Sequence, residues 1–266
     1  MTPTTLAGFP SLTADGDRTR PPILFLHGAF APHESWSPWM DHLTGAGWRS
    51  IAVSRRGRLG IGPDKAEGLR IADYVEDTLQ VIAALGEAPV LIGHSMGGLI
   101  AQKVAEQGQA AAMVLLASAP PAMLTAQAVA LPAYLPMMPS ILLGQPILPD
   151  CSGCTRIALN RVPEAERAAI HDGFHHESGL AYREMIFGTV RVDATRVRVP
   201  TCVIGGKEDR VVSQALVRWT AAHYGTFPRF YEGHAHWLVG EPGWERIADD
   251  VTAWLDPLAK GVRAAG

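Results

Sequence analysis

Six short apolar runs, most of them apolar at consecutive positions, recur along the chain: residues 22–27 (PILFLH), 50–54 (SIAVS), 89–93 (PVLIG), 112–117 (AMVLLA), 201–205 (TCVIG) and 229–231. An unbroken apolar run of that length suits a strand buried on both faces, as in a parallel sheet covered by helices. Helical spacing is expected between them, at 36–45, 71–85, 97–107, 213–223 and 244–255. In the second of these, Ile71, Val75, Leu79, Ile82 and Leu85 form one apolar stripe, and Asp73, Glu76, Asp77 and Gln80 are expected to face away. The alternation implies an α/β fold, a doubly wound and mostly parallel sheet flanked by helices, with functional loops at the carboxyl ends of the strands.

One region departs from that rhythm. Residues 120–199 are rich in Pro, Met and short helical pieces and contain no convincing buried strand. A bare loop of that length is unusual in a compact domain, so the expected organisation is a core of residues 1–119 and 200–266 with 120–199 inserted as a helical lid.

Charge and segment composition exclude several classes. With 23 basic and 26 acidic side chains the net charge is −3, which leaves no large cationic surface for nucleic acid. Residues 1–22 lack the charged, apolar and cleavage regions of a secretory leader, so the expected location is the cytoplasm. The apolar stretches 110–116 and 123–143 are too short or too broken by Pro132, Pro136 and Pro139 to span a bilayer, and no membrane partner is expected. Three cysteines, Cys151, Cys154 and Cys202, form no disulfide framework and read as thiols.

The segment Gly93-His94-Ser95-Met96-Gly97 has the pattern G-x-S-x-G. It follows the apolar Val90-Leu91-Ile92 and precedes a helical run, the strand–turn–helix setting that exposes a nucleophilic serine. Such a sharp turn strains the serine backbone, and side chains two positions away on either side would collide; glycine removes both. The helix N-terminus offers N–H groups and a positive dipole end to a developing oxyanion. A serine hydroxyl needs a histidine to take its proton, and the segment 232–237 between the last expected strand and the last helix offers His234 and His236.

With these residues the chain resembles the α/β-hydrolase-fold esterase and lipase superfamily over nearly all of its length outside the lid. In that family the catalytic histidine is followed five residues on by Glu-x-Pro or a close variant, and Glu241-Pro242 at that offset implies His236 as general base. His234 stands where the family more usually has glycine and reads as a supporting residue. The family's strand-G-x-x-D pattern implies Asp209, after the strand ending in Gly205-Gly206, as the acid that orients the histidine; Glu208 reads as a solvated loop charge. Residues 117–120, where some members carry the acid, hold no carboxylate. The oxyanion hole implied is the backbone N–H of Met96 with that of Ala29, or Phe30 as the alternative, in the HG-x-like His27-Gly28-Ala29-Phe30; His27 reads as structural.

Arg55-Arg56-Gly57-Arg58 resembles the family's D-x-R-G-x-G-x-S turn, with Ser54 in place of the acid; Arg56 reads as structural and the three arginines as a solvated face. Cys151 and Cys154, with His171, His175 and His176 beyond, fit no zinc spacing well, so no metal site is expected. Met123, Met137, Met138 and Met185, with Leu131, Leu135 and Ile141, are expected to pack the lid on the core. The substrate pocket is expected to involve Phe30, His94, Met123, Leu135, Met138 and Trp237.

What the resemblance implies is two-step acyl transfer from a small, largely apolar ester or lactone through an acyl-enzyme on Ser95, with no metal or organic cofactor and no macromolecular partner beyond a monomer or homodimer. Serine at position 95 sets aside the aspartate-nucleophile members, dehalogenases and epoxide hydrolases. Thioesterase, amidase, carbon–carbon hydrolase, perhydrolase and hydroxynitrile lyase chemistry remain, as does a non-catalytic ligand receptor on the same fold.

Overall fold

The computed structural model describes residues 1–57, 63–125 and 127–264. It begins with a hairpin that the apolar pattern does not announce: β1 (Thr2–Leu6) and β2 (Phe9–Ala14) pair antiparallel with Leu6 opposite Phe9. The two linking residues, Ala7 and Gly8, have φ of 51° and 87°, the positive pair that a two-residue hairpin turn needs to follow the strand twist. β1 is exposed and rich in threonine, so it carries no buried face for periodicity to detect.

The six apolar runs form β3 (Ile23–Leu26), β4 (Ser50–Val53), β5 (Val90–His94), β6 (Ala112–Leu116), β7 (Thr201–Gly206) and β8 (Pro228–Tyr231). The sheet order is β1-β2-β4-β3-β5-β6-β7-β8, parallel from β4 onward. Successive residues of β3 feed opposite faces. Leu24 and Leu26 join one apolar cluster, Ile23 and Phe25 the other, and all four are buried. Five helices cover these faces. α1 (Ser37–Gly45) and the last helix, Trp244–Ala264, pack on one side with Trp39, Met40, Ile247 and Val251. α2 (Ile71–Leu85), α3 (Met96–Ala105) and the helix Gln214–His223 pack on the other.

α2 spans the range its periodicity predicts, with one correction. Asp77 does not face away; it is 2% exposed because its carboxylate accepts the Arg56 backbone N–H at 2.8 Å and meets the Arg56 guanidinium.

Between β6 and β7 lie α4 (Leu131–Tyr134), α5 (Met138–Leu143), α6 (Cys151–Ile157), α7 (Glu164–Asp172) and α8 (Gly179–Ile186), followed after β7 by α9 (Gln214–His223) and after β8 by α10 (Trp244–Ala264). Pro132, Pro136 and Pro139 fall in the first turns of short helical pieces, where a missing N–H costs nothing, so the segment folds as brief helices. Among the described residues no helix is long and apolar enough to cross a membrane.

From β3 the chain runs out to β4 and returns through α2 to β5 on the other side of β3. The connections diverge there, leaving a crevice at the carboxyl ends of β3 and β5.

Candidate active site

Ser95 sits at that crevice, between the last residue of β5 and the first of α3, with φ 52° and ψ −118°. Its carbonyl accepts the N–H of Gly98 and of Ala119 and its own N–H donates to Leu116, each at 3.0 Å, so the strained backbone is held on both sides. The flanking glycines are sterically required. A Cβ on Gly93 would lie 2.5 Å from the Gly97 carbonyl oxygen, and one on Gly97 would overlap the Leu26 carbonyl oxygen.

Three side chains distant in sequence meet at this point. His236 Nε2 is 3.1 Å from Ser95 Oγ, and His236 Nδ1 is 2.9 Å from Asp209 Oδ2. A carboxylate only accepts, so Nδ1 carries the proton and Nε2 presents its lone pair to the serine hydroxyl. The other Asp209 oxygen, Oδ1, accepts the N–H of Val211 at 2.7 Å and of Val212 at 2.9 Å, leaving Oδ2 to the imidazole. Neither ring nor carboxylate is open to bulk water: their side chains are 7% and 0% exposed.

The histidine loop has its own support. Glu241, 0% exposed, accepts the Ala235 N–H on Oε2 at 2.7 Å and the Trp237 N–H on Oε1 at 3.0 Å, so one carboxylate grips the backbone on either side of His236. The spacing Glu241-Pro242 was visible in the sequence; the grip it makes was not. His234 turns toward that carboxylate, its Nδ1 3.4 Å from Oε2. Glu208 pairs with Arg161 at the surface, and that hydrogen bond holds its carboxyl below the usual range.

His94 is fully enclosed beside the site, its Nε2 2.8 Å from the His236 carbonyl oxygen. Burial, with His236 close by, pushes its conjugate acid down to about 3, so the ring is neutral. Of the loop after β3, Ala29 and Phe30 face a cavity of about 50 Å³ together with Ser95, His94, His236 and Trp237. Its farther walls come from the segment between β6 and β7: Met137, Cys154, Ile157, Phe174, Tyr182 and Met185, with the Phe30 and Tyr182 rings 5.4 Å apart.

Of the six residues expected to line the pocket, Phe30, His94 and Trp237 face the cavity, whereas Met123, Leu135 and Met138 do not. Leu135 is 64% exposed. Around Pro136 the chain makes a 3₁₀ turn, each residue rotating by about 120° from the last, so Met137 takes the inner position and Met138 is rotated away from it. Met123 is half-buried where its backbone crowds Gly188. The solvated-face reading of the arginines is also corrected. Arg55 is 2% exposed and Arg56 pairs with Asp73, Glu76 and Asp77; Arg58 lies outside the described residues. Among the described residues no group of three His, Cys, Asp or Glu could hold a metal ion.

Residues 23–250 match the model of the alpha/beta hydrolase family. Over 232 residues the chain is 26% identical to epoxide hydrolase 3 of Xenopus tropicalis, covering 77% of this chain and 62% of the relative. Over 115 residues it is 36% identical to a non-heme chloroperoxidase of Burkholderia pyrrocinia, covering 41% of each. The chain thus spans less than two thirds of the length of either relative. The crystal structure of the enol-lactonase from Burkholderia xenovorans LB400 superposes with a TM-score of 0.68 at 19% identity, covering 97% of this chain and all (100%) of that one.

Proposed function

Because the chain belongs to the alpha/beta hydrolase family, we propose that it cleaves a carboxylic ester or lactone of a small, largely apolar substrate through an acyl-enzyme on Ser95. The observation that carries this reading is the continuous path from Ser95 Oγ through the two His236 nitrogens to Asp209, with contacts of 3.1 and 2.9 Å.

In the first step Ser95 Oγ attacks the carbonyl carbon as its proton passes to His236 Nε2, and Asp209 stabilises the imidazolium that results. The oxyanion is taken by the N–H groups of Met96 and Ala29, each such donor contributing about 3 kcal/mol of transition-state stabilisation. His236 then returns its proton to the leaving alcohol oxygen. In the second step a water gives a proton to the same nitrogen as it attacks the acyl carbon, and that proton passes to Ser95 Oγ as the acyl C–O bond breaks, releasing the acid and free Ser95.

A serine at position 95 favours ester cleavage over epoxide opening in spite of the first relative's name. The segment 120–199 acts as a cap whose inner face, with Met137, Tyr182 and Met185, limits the acyl or alkyl portion to a short chain. Phe30 and Trp237 wall the side nearer the serine.

The test is turnover of p-nitrophenyl esters, lactones, thioesters and amides by the wild-type protein and by Ser95→Ala. Ester or lactone turnover that Ser95→Ala abolishes supports the reading. Unchanged turnover by a folded Ser95→Ala protein would remove it, and tight ligand binding without turnover would favour a receptor.

A further inference from the structure

We infer that Arg55 is a positioning residue for the oxyanion donors, holding the loop after β3 so that the Ala29 N–H faces the reacting carbonyl; the inference rests on the ester-cleavage reading above. Arg55 follows β4 by two residues and its guanidinium is buried. Nη1 donates to the His27 carbonyl at 2.7 Å and Nη2 to the Gly28 carbonyl at 3.2 Å. The Gly28 oxygen is also 3.0 Å from His27 Nδ1.

A trans peptide sets its C=O and N–H in opposite directions, and the described residues contain no cis bond. Fixing the Gly28 carbonyl toward Arg55 therefore turns the Ala29 N–H the other way, to the side where Ala29 and Ser95 share the cavity. The neighbouring carbonyls are held too. The Ala29 oxygen accepts the Ala31 N–H at 2.7 Å, and the Phe30 oxygen accepts the His175 N–H at 2.9 Å. Phe30 itself has φ of 64°, a conformation that persists only when its surroundings determine it.

The guanidinium is itself oriented from two further directions. It lies over the Tyr74 ring, 4.8 Å from the centroid, and Nη2 is 3.5 Å from Glu177 Oε2. Glu177, 1% exposed, accepts the Tyr74 hydroxyl at 2.6 Å and the Ser178 N–H at 3.0 Å. A buried ion pair is a poor source of stability because desolvation offsets its attraction. What the arrangement does supply is direction: a planar fork reaches two adjacent carbonyls at once, which a lysine ammonium on a flexible stem does not reproduce. Glu177 and His175 belong to the segment between β6 and β7, so the donor geometry is complete only when that segment is seated on the core.

The test compares wild type, Arg55→Lys and Arg55→Met for kcat and KM on p-nitrophenyl acetate. It adds inhibition by an aryl trifluoromethyl ketone, which takes Ser95 as a tetrahedral oxyanion, and by the matching methyl ketone, which binds without adding. Misdirecting one donor is expected to lower kcat by about 10- to 100-fold and trifluoromethyl ketone affinity by the same factor, with KM and methyl ketone affinity within about threefold. Arg55→Lys, which keeps a cation opposite Glu177, carries the comparison if Arg55→Met does not fold. Folded variants that keep wild-type kcat, or that lose both ketones in equal proportion, would overturn the assignment. Wild-type protein that cleaves no ester and takes no trifluoromethyl ketone would remove the ester reading itself, an outcome separate from a change confined to the Arg55 variants.

Discussion

The imidazole of His94 donates its Nε2 proton to the backbone carbonyl of His236 at 2.8 Å. Because a carbonyl only accepts, Nδ1 is left bare, and Gly28 packs so closely there that a Cβ on it would lie 2.8 Å from that nitrogen. The two histidines are thereby tied: the ring of one holds the backbone of the other.

A pH dependence follows. Burial holds the native His94 conjugate acid near about 3, against about 6.5 for the unfolded side chain. Between those values the unfolded chain binds a proton that the native protein refuses. The stability attached to the neutral ring is thus intact above about pH 6.5 and declines as pH falls toward 3, by up to ~1.4 kcal/mol per pH unit. Urea melts between pH 7 and pH 4 are expected to show a steeper loss for wild type than for His94→Gln, which does not titrate. Parallel slopes would contradict the burial of this ring.

At the serine turn, Gly97→Ala is expected to destabilise the fold by about 3 kcal/mol or more and to abolish turnover, because the new methyl overlaps the Leu26 carbonyl oxygen. Gly108→Ala makes the contrast. That residue has φ of 74° but open space around it, so only backbone strain of about 1 kcal/mol is incurred and turnover is retained. Chemical denaturation paired with ester assays distinguishes the two.

Glu241→Gln is expected to cost about 1–3 kcal/mol and to lower kcat by roughly 10-fold, since an amide has one accepting oxygen for the two N–H groups of Ala235 and Trp237. The slack it introduces falls on the backbone that carries His236. Thermal melts and steady-state kinetics check both effects, and unchanged kcat would mean that the loop is held by other contacts.

Met185→Ala opens the far wall of the cavity. Wild type is expected to prefer acetyl and propionyl esters, and the variant to shift its kcat/KM optimum toward longer acyl chains by about 10-fold, since each added methylene in an apolar pocket contributes about 1 kcal/mol or more. A chain-length series of p-nitrophenyl esters reads this directly.

What could be read from the sequence follows from what burial does to residue patterns. β3 through β7 were legible because both faces of each are covered, which leaves a largely apolar run, whereas β8, at the sheet edge with Arg229 exposed, offers only a short one. The β1–β2 hairpin was not, since it lies at the sheet edge with an exposed outer strand. Periodicity placed α2 but exposed Asp77, because spacing along one helix carries no information about an arginine arriving from another element. Arg55 was mistaken for a solvated charge for the same reason: its carboxylate partner stands 122 residues later. The letters around Ser95 are ones its strand–turn–helix junction needs sterically, whereas Asp209 and His236 were implied by the resemblance to the α/β-hydrolase family. The pocket walls come from short helices held together by tertiary contacts, where one residue of rotation separates Met137 from Met138.

The origin of the cavity walls separates two kinds of change open to this chain. Ser95, Asp209 and His236 hang from the sheet, whereas Met137, Cys154, Ile157, Phe174, Tyr182 and Met185 come from one contiguous stretch between β6 and β7. Replacing that stretch would remake the mould while leaving the tool that works inside it in place, provided the replacement still brings a carboxylate to Arg55.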